Sequence, residues 1–378
     1  MKKMLRLAVE LNGLALTLDG PKRKERLEIA GSYPNSLLAR FLFSQLGMMH
    51  LVAPHLPEII ETNFFVVRET ERLIDKMYAS ENRLPPHFKT PILNAAASFS
   101  LPKTDRNKVV VAFSAGKDSL WNVWWAQEKY GKDNVLVVHI AGLNRVNASG
   151  ERKYAELQAK KLGFRHFRVI ELHNGSVETG FKVMRSRDMF LAGIIIPAAL
   201  EFGASKIITE GFGEDTSKHL FTGEERNMRY FNGMLRRLGI PVEVAWRNRA
   251  EMDVVKDLAV RKPEWLAHVH NCFAPPCYKP LIQRSWRKRT PTFPPLDSQC
   301  GSCVKCRITR LGVLLYGDHT VSRIDAAEFL RHTAKWIVEK WPTHEDFLNG
   351  SFLECFREAC RKYDIVPKLS ELKIKPAA

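Results

Sequence analysis

The hydrophobic pattern of the chain becomes regular at Lys108 and stays regular to Val260. Short apolar runs rich in β-branched residues alternate there with longer stretches of helical periodicity, which predicts buried strands separated by helices. The predicted elements, in chain order, span residues 108–113, 120–130, 135–140, 152–162, 166–172, 189–202, 206–210, 225–238, 242–246 and 252–260. Strict alternation of strand and helix indicates an α/β fold with a doubly wound parallel sheet.

The chain before this region has a different pattern. Leu5 to Leu18 alternates apolar and polar residues and contains Asn12-Gly13, a dipeptide typical of hairpin turns. Glu69 to Tyr78 has helical periodicity, whereas residues 82–108 carry four prolines and little periodicity, which is typical of a linker. We therefore expect residues 1–105 to form an N-terminal α+β region that is separate from the next part of the chain. No motif in this region indicates a role.

The chain after residue 265 contains a cysteine-rich segment and then helical periodicity. Five of the seven cysteines lie in residues 266–315. Two further helices are predicted at 325–341 and 346–363, within a C-terminal extension that covers residues 316–378. The sequence thus predicts four parts, which are residues 1–105, 106–265, 266–315 and 316–378.

The composition indicates a globular protein. The chain has 378 residues, of which 45% are hydrophobic and 26% charged, so it is long enough for two or more domains. The apolar N-terminal stretch is interrupted by charged residues and does not resemble a signal peptide. The longest apolar stretch, residues 36–60, contains Arg40, His50 and two prolines, and it predicts a buried or amphipathic helix rather than a membrane span. An odd number of clustered cysteines favours a reducing compartment, and we expect a cytoplasmic protein without a membrane partner.

The net charge of +17 and the isoelectric point near 9.6 suggest an acidic partner. A nucleic acid and an anionic protein face both fit this charge. Two local clusters contribute to it, residues 22–26 and residues 284–289, and the second places a tryptophan among four basic residues in a proline-rich stretch. The 284–289 cluster is a candidate clamp for a partner or substrate, with a solvated loop as the alternative.

Residues 114–119, Ser-Ala-Gly-Lys-Asp-Ser, carry the strongest chemical signal of the chain. They follow a predicted strand and open a predicted helix. Small residues let backbone N–H groups approach phosphate oxygens, the helix N-terminus adds partial positive charge, and Lys117 and two hydroxyls complete an anion site. The stretch is not a Walker A loop, because Val111 and Asp118 stand where that loop needs Gly and Ser or Thr. We expect a polyphosphate ligand.

The cysteines at 300, 303 and 306 form a C-x2-C-x2-C run, a spacing at which three thiolates can face one ion. A structural zinc site takes four ligands in a tetrahedron, so a fourth cysteine is needed, and Cys272 and Cys277 both offer one. An iron–sulfur cluster is the alternative, because thiolates at this spacing also hold iron.

These two features together resemble one family. Residues 114–119 are similar to the S-G-G-x-D-S pyrophosphate loop of the N-type ATP pyrophosphatases, with Ala115 in place of the first Gly. The cysteine run is similar to the C-G-x-C-x-x-C segment of QueC, the 7-cyano-7-deazaguanine synthase. The resemblance covers residues 108–315 and favours Cys272 over Cys277 as the fourth zinc ligand. The zinc ligands that it implies are Cys272, Cys300, Cys303 and Cys306.

Weaker similarities lie between the two motifs. Residues 187–191 resemble a G-R-N-x-x-F-L helix start of the family, which makes Arg187 a candidate phosphate or carboxylate ligand, or else a surface residue at a helix start. Residues 210–215 resemble a strand end, G-x-x-x-E-D, that lies near the substrate in the family. The resemblance implies that Glu214 and Asp215 bind the polar edge of a deazaguanine, with capping of the following segment as the alternative.

Two more strand ends belong to the expected site. Ligands of doubly wound sheets gather at the carboxyl ends of the strands, so Ile140 and residues 210–215 are expected to flank the nucleotide and the substrate. His139 ends an apolar strand, which favours a backbone contact to adenine or a packed core histidine over catalysis. Residues 249–252 stand where the family has S-K-A-E at the beginning of a helix.

The resemblance implies an ATP-dependent ligase that activates a carboxylate. ATP and 7-carboxy-7-deazaguanine would bind, AMP would pass to the carboxylate, and an amine would attack the mixed anhydride. Mg²⁺ and cationic groups would stabilise the charge on the phosphates. Asp118 is expected to orient the loop or a hydrated Mg²⁺, and Lys117, Asp118 and Ser119 are the candidate catalytic residues. The residues implied for the pyrophosphate are Ser114, Ala115, Gly116, Lys117 and Ser119.

The amine acceptor stays open. An N-terminal region, an enlarged cysteine segment, a helical extension and strong basicity are not needed to make a free nitrile. They favour an enlarged defence-associated member similar to the QatC group, which joins a deazaguanine to an amine of a partner protein in bacterial anti-phage systems. The first alternative is a housekeeping synthase that makes 7-cyano-7-deazaguanine from ammonia for queuosine biosynthesis. The others are a tRNA-modifying enzyme with a pyrophosphate loop and a non-catalytic zinc protein that binds nucleic acid.

Overall fold

The computed structural model places most of the chain in defined helices and strands. The residues that it describes are 6–20, 23–31, 33–34, 36–91, 101–142, 148–174, 181–210, 225–247, 249–266, 268–269, 303–317, 322–340 and 350–365. The strands are β1 (Arg6–Asn12), β2 (Ala15–Gly20), β3 (Arg23–Ala30), β4 (Ile59–Thr62), β5 (His87–Lys89), β6 (Asp105–Phe113), β7 (Val135–Ala141), β8 (His166–Asn174), β9 (Ala204–Glu210) and β10 (Glu243–Arg247). The helices are α1 (Leu37–Val52), α2 (Arg68–Ser80), α3 (Lys117–Tyr130), α4 (Ala148–Lys161), α5 (Phe181–Phe202), α6 (Glu225–Arg237), α7 (Glu251–Arg261), α8 (Pro263–Leu266), α9 (Val304–Tyr316), α10 (Arg323–Lys340) and α11 (Gly350–Lys362).

All ten strands belong to one mostly parallel sheet with the order β10-β9-β6-β7-β8-β3-β2-β1-β4-β5. From β6 the chain moves to β7 and β8 on one side, and then crosses to β9 and β10 on the other side. The connection therefore reverses direction between β6 and β9, which is the switch point of a doubly wound sheet and the usual place for a ligand. The prediction of an α/β fold with a doubly wound sheet is confirmed.

Helices cover both faces of this sheet, and alternate side chains of β6 lie in two different cores. Val110 packs in a core with α1, α5 and α6, whereas Val111 packs in a core with α3, α7 and the C-terminal helices. A parallel strand that is buried on both faces is apolar on both faces, which explains the unbroken run from Val109 to Val111.

The N-terminal region is part of the same sheet. Strand β3 pairs with β8 in antiparallel register, with Ile29 opposite Leu172. Helix α1 packs closely on α5, where a Cβ atom at Gly193 would overlap the side chain of Leu46. The expectation of a separate N-terminal unit therefore does not describe the packing, since the sheet and one hydrophobic core continue across residue 105.

The predicted helices and strands outside the central part are also present, with changed limits. The Asn12-Gly13 turn joins β1 and β2 as a hairpin, with Gly13 at a φ of 64°. The apolar stretch 36–60 is not one helix, because α1 ends at Val52 and β4 begins at Ile59, with two prolines between them. No helix in the described part of the chain combines the length and the hydropathy that crossing a bilayer requires.

Candidate functional site

Residues 114–116 form a tight turn at the switch point of the sheet. Strand β6 ends at Phe113, and α3 begins at Lys117 with Gly116 as its N-cap residue. Ala115 has a φ of 66°, a left-handed conformation that costs a residue with a Cβ atom about 1 kcal/mol. The departure from the family motif, Ala for Gly, therefore falls on the residue whose conformation favours glycine. The strain lies at the turn that presents the helix N-terminus.

Hydrogen bonds within the turn bring both predicted serines together. The Ser119 hydroxyl lies 3.1 Å from the backbone N–H of Ser114 and 3.1 Å from the carbonyl oxygen of Gly116. The Ser114 hydroxyl accepts from the N–H of Gly116 at 3.3 Å and lies 3.1 Å from the Ser119 hydroxyl. Both hydroxyls thus stand at the N-terminus of α3, and each donates within the protein, Ser119 to the Gly116 carbonyl oxygen and Ser114 to Glu210.

Lys117 is almost completely buried, with 1% of its side chain exposed. Its ammonium group lies 2.7 Å from Asp118 Oδ2 and 3.5 Å from Glu251 Oε2. Burial works to lower its pKa, but the charges of Asp118, Glu251 and Glu210 outweigh burial and raise it. The site therefore holds a permanent cation at the first turn of α3. Glu251 begins α7. It was not selected from the sequence as a site residue, although the similarity of residues 249–252 to S-K-A-E was a signal that could have indicated it.

Glu210 reaches the turn from the next strand of the sheet. It ends β9, and its Oε1 accepts a hydrogen bond from the Ser114 hydroxyl at 2.7 Å. Desolvation and then the charge of Asp118 raise the pKa of this carboxyl, against the Ser114 hydrogen bond and the charges of Lys305 and Arg187. The sequence placed Glu210 at the edge of the substrate segment but assigned the substrate to Glu214 and Asp215, which lie outside the described residues.

Arg187 lies inside α5 and not at a helix start, because α5 begins at Phe181. Its side chain is half-buried, and its Nε donates to Asp188 Oδ1 at 2.9 Å. Its positive charge acts to lower the pKa of Glu210, so the guanidinium lies in the same electrostatic environment as the turn. The expectation of a surface residue at a helix start is therefore wrong, while a role in ligand binding stays a prediction.

The N-terminal region supports α5 beside Arg187. His50 of α1 is buried, stacks on Phe190 with ring centroids 4.7 Å apart, and lies 3.2 Å from the Ser186 hydroxyl through its Nδ1. Burial and the charge of Arg187 lower the pKa of His50 to about 4, so the imidazole is neutral at neutral pH. A packed, uncharged ring thus fixes the turn of α5 that carries Arg187.

Strand β7 lies beside β6 and carries Ile140, which was predicted to flank the nucleotide. Ile140 lies one residue beyond His139, which is opposite Phe113 in the parallel register. The His139 Nδ1 lies 2.8 Å from the carbonyl oxygen of Phe113, so it donates this hydrogen bond, and burial lowers the pKa of the ring. His139 therefore contacts the backbone of the last residue before the turn. Its other ring nitrogen is buried and has no hydrogen-bond partner among the described residues.

Two of the predicted zinc ligands lie at the N-terminus of α9. Cys303 is the N-cap residue and Cys306 is fully buried in the first turn. Their sulfur atoms are 3.4 Å apart, too far for a bond between them, whereas two thiolates on a tetrahedral zinc with Zn–S bonds of about 2.3 Å lie about 3.8 Å apart. At 3.4 Å the two side chains are within hydrogen-bonding distance of each other, and the ion that they would share stays a prediction. Lys305 lies between the two cysteines and is one of the residues whose charge acts on Glu210.

Other predicted site residues fall outside the part of the chain that the structure describes. They are Glu214, Asp215, Cys272, Cys277, Cys300 and the basic cluster 284–289. Within the described residues, no group of three or more histidine, cysteine, aspartate or glutamate side chains could hold a metal ion. The described residues therefore contain half of the predicted cysteine set.

No protein-family model matches the chain, and no curated protein is significantly similar to it. The fold and the site define its class as a doubly wound α/β protein. Its switch point carries a serine-rich turn, a buried lysine and three carboxylates. The turn, the helix N-terminus and the cation together suit a ligand with several phosphate groups.

Proposed function

We propose that the chain is a QueC-like ATP pyrophosphatase. It transfers AMP from ATP to the carboxylate of 7-carboxy-7-deazaguanine. It then joins the activated acid to an amine, for which we favour an amine of a partner protein. The observation that carries the proposal is the buried Lys117 at the N-terminus of α3, beside Asp118 and the Ser114 and Ser119 hydroxyls at the switch point of the sheet.

The proposed chemistry uses this chain's own groups for binding and orientation. Ser114, Gly116, Lys117 and Ser119 bind the β- and γ-phosphates of ATP, and Asp118 would hold a hydrated Mg²⁺, which would neutralise part of the phosphate charge. A carboxylate oxygen of the substrate attacks the α-phosphorus, the bond from the α-phosphorus to the bridging oxygen breaks, and pyrophosphate leaves with the electron pair. The Lys117 ammonium group, which Asp118 and Glu251 hold in place, stabilises that leaving charge.

The remaining predicted residues surround the two substrates in this proposal. Ile140 lies against the nucleotide at the end of β7, and Arg187 pairs with a phosphate or the substrate carboxylate. Glu214 and Asp215 accept hydrogen bonds from the guanine-like edge of the deazaguanine. The electrostatic link between Arg187 and Glu210 supports this arrangement.

The partner protein as acceptor is supported by charge and by size. The chain carries a net charge of +17, more than a ligand of a few phosphates needs, and its N-terminal and C-terminal parts enlarge the nucleotide fold on both sides of the sheet. An acidic partner would be attracted to such a surface. Ammonia and tRNA are the competing acceptors, and the product of the reaction distinguishes them.

The test is pyrophosphate release from ATP by the purified full-length protein with 7-carboxy-7-deazaguanine and Mg²⁺. Acid-dependent release is expected, and Ser119→Ala is expected to lower it by about 10²-fold because the hydroxyl that holds Ser114 and Gly116 in the turn is lost and the phosphate site is displaced. Mass spectrometry of small molecules, co-purified proteins and tRNA then identifies the acceptor. Absence of release with ammonia and cell extract present would contradict the proposal. Release that depends on tRNA, and not on the deazaguanine, would instead support a tRNA-modifying enzyme.

We also propose that Cys272, Cys300, Cys303 and Cys306 hold a structural zinc ion. The 3.4 Å between the Cys303 and Cys306 sulfur atoms supports the shared ion. Zinc at a site of four cysteines supplies rigidity and has no open position for a substrate. The residues would then fix the N-terminus of α9, and with it Lys305, near the turn.

Metal analysis is expected to find one zinc ion per chain, and Cys306→Ser is expected to lower the zinc content to less than about a tenth and to lower the melting temperature. Cys355→Ser is the matched control, because Cys355 is a buried cysteine of α11 outside the predicted set and is expected to keep the zinc. Iron with visible absorbance in place of zinc would favour the iron–sulfur alternative. A full zinc content in Cys306→Ser would contradict both the four-cysteine zinc site and the iron–sulfur alternative.

A further inference from the structure

We infer that Glu210 accepts the proton that the attacking amine loses when the amide forms. The inference rests on the proposed function and assigns a residue to its second step. That step needs a base, because an amine that has added to a carbonyl carbon carries a positive charge and must lose a proton before the product is stable.

The position of Glu210 carries the inference. It ends β9, directly beside β6 at the switch point, and its Oε1 lies 2.7 Å from the hydroxyl of Ser114 at the start of the turn. That hydrogen bond fixes the carboxylate at the rim of the proposed phosphate site, next to the place where the acyl adenylate would stand. Its side chain makes no other hydrogen bond or ion pair with the described residues, so the second oxygen can accept a proton.

The charges around Glu210 come from three packed helices, α3, α5 and α9. Asp118 of α3 is the acidic neighbour, Lys117 lies in the same turn of α3, and Arg187 of α5 and Lys305 of α9 are the cations that act on it. Desolvation and the charge of Asp118 raise the pKa of Glu210 against the two cations and the Ser114 hydrogen bond. A carboxylate with a raised pKa is a stronger base, and it is in its proton-accepting form above that pKa.

The step balances without another reactant. The amine nitrogen forms a bond to the carbonyl carbon, and the nitrogen–hydrogen bond breaks with its proton passing to the Glu210 carboxylate. The carbon–oxygen bond to AMP then breaks, and AMP leaves as its phosphate anion with the electron pair. The proton passes from Glu210 to water.

The experiment separates adenylation from amide formation in the full-length, metal-replete protein. Isotope exchange between pyrophosphate and ATP, dependent on 7-carboxy-7-deazaguanine, reports adenylation. Amide formation is followed with ammonia and glycinamide, and hydroxamate formation with hydroxylamine, which is largely unprotonated at neutral pH and needs little base assistance. The variants are Glu210→Gln, Glu210→Asp, and Glu243→Gln as a control, since Glu243 is an exposed carboxylate at the other end of neighbouring strand β10.

We expect Glu210→Gln to slow amide formation by about 10²-fold relative to hydroxamate formation, and Glu243→Gln to change neither. After correction for the concentration of unprotonated amine at each pH, the wild-type amide rate should rise with pH through the pKa of Glu210 and then level off. Glu210→Gln should lose that rise, and Glu210→Asp should keep part of it.

Equal slowing of amide and hydroxamate formation in Glu210→Gln would overturn the inference, and so would unchanged amide formation. If Glu210→Gln does not fold, the wild-type profiles decide, because an amide rate with the same pH dependence as the hydroxamate rate also overturns it. Absence of acid-dependent exchange in the wild type would instead overturn the proposed function, and this inference with it.

Discussion

Replacing Lys117 by alanine is expected to lower acid-dependent pyrophosphate release by about 10³-fold. Lys117 is the cation at the N-terminus of α3, and its ammonium group is fixed by Asp118 at 2.7 Å and by Glu251 at 3.5 Å. Loss of a charge held in place at a reacting phosphate removes transition-state stabilisation that water cannot replace. Steady-state pyrophosphate release measures the effect, and ATP affinity should weaken in parallel.

The control for this variant is Lys129→Ala. Lys129 lies in the last turn of the same helix and is exposed, with its ammonium group 5.0 Å from the centre of the Trp125 ring. Its loss is expected to leave pyrophosphate release unchanged. Lys117→Ala should also unfold at lower temperature than Lys129→Ala, because it leaves Asp118 and Glu251 without their cation. Wild-type release by Lys117→Ala would exclude the turn as the phosphate site.

The largest loss of stability is expected for Gly142→Ala, about 4 kcal/mol in the free energy of unfolding. Gly142 follows β7 at the carboxyl edge of the sheet and has a φ of 92°. A Cβ atom there would overlap the backbone carbonyl of Leu172 in β8, which cannot move without breaking the pairing of the two strands. Denaturant unfolding measures the change.

Gly163→Ala separates the clash from the backbone conformation. Gly163 has a φ of 65°, but a Cβ atom there meets no atom within 4 Å. It should therefore cost only the left-handed conformation, about 1 kcal/mol. Equal losses for the two variants would show that the contact between Gly142 and Leu172 does not limit stability.

Local patterns were sufficient for the central elements. The apolar run from Val109 to Val111 predicted β6, and the serines and glycine after it predicted a turn before a helix, because strand burial and helix capping depend on a few neighbouring residues. The same reasoning failed for the start of α5, which begins at Phe181 and not near Arg187. The cysteine spacing predicted a shared ion; the structure places Cys303 and Cys306 side by side at the start of α9, and the ion itself stays a prediction.

Contacts between residues far apart in the sequence could not be predicted from such local patterns. The hydrogen bond from Ser114 to Glu210 joins residues that are 96 positions apart, and the pairing of β3 with β8 joins the N-terminal region to the sheet. Prolines between residues 82 and 108 suggested a linker, but nothing in their spacing reports whether the segment before them packs against the segment after them.

The sequence by itself determined the order of strands and helices between residues 108 and 260 and the turn that begins at Ser114, because these depend on side-chain periodicity and on short-range backbone chemistry. The tertiary structure decided that Lys117 is buried between Asp118 and Glu251, that Glu210 reaches the turn, and that the N-terminal strands extend the same sheet. The physical reason is that strand pairing and charge burial depend on contacts between residues that are far apart in the sequence. Those contacts form only when the chain folds.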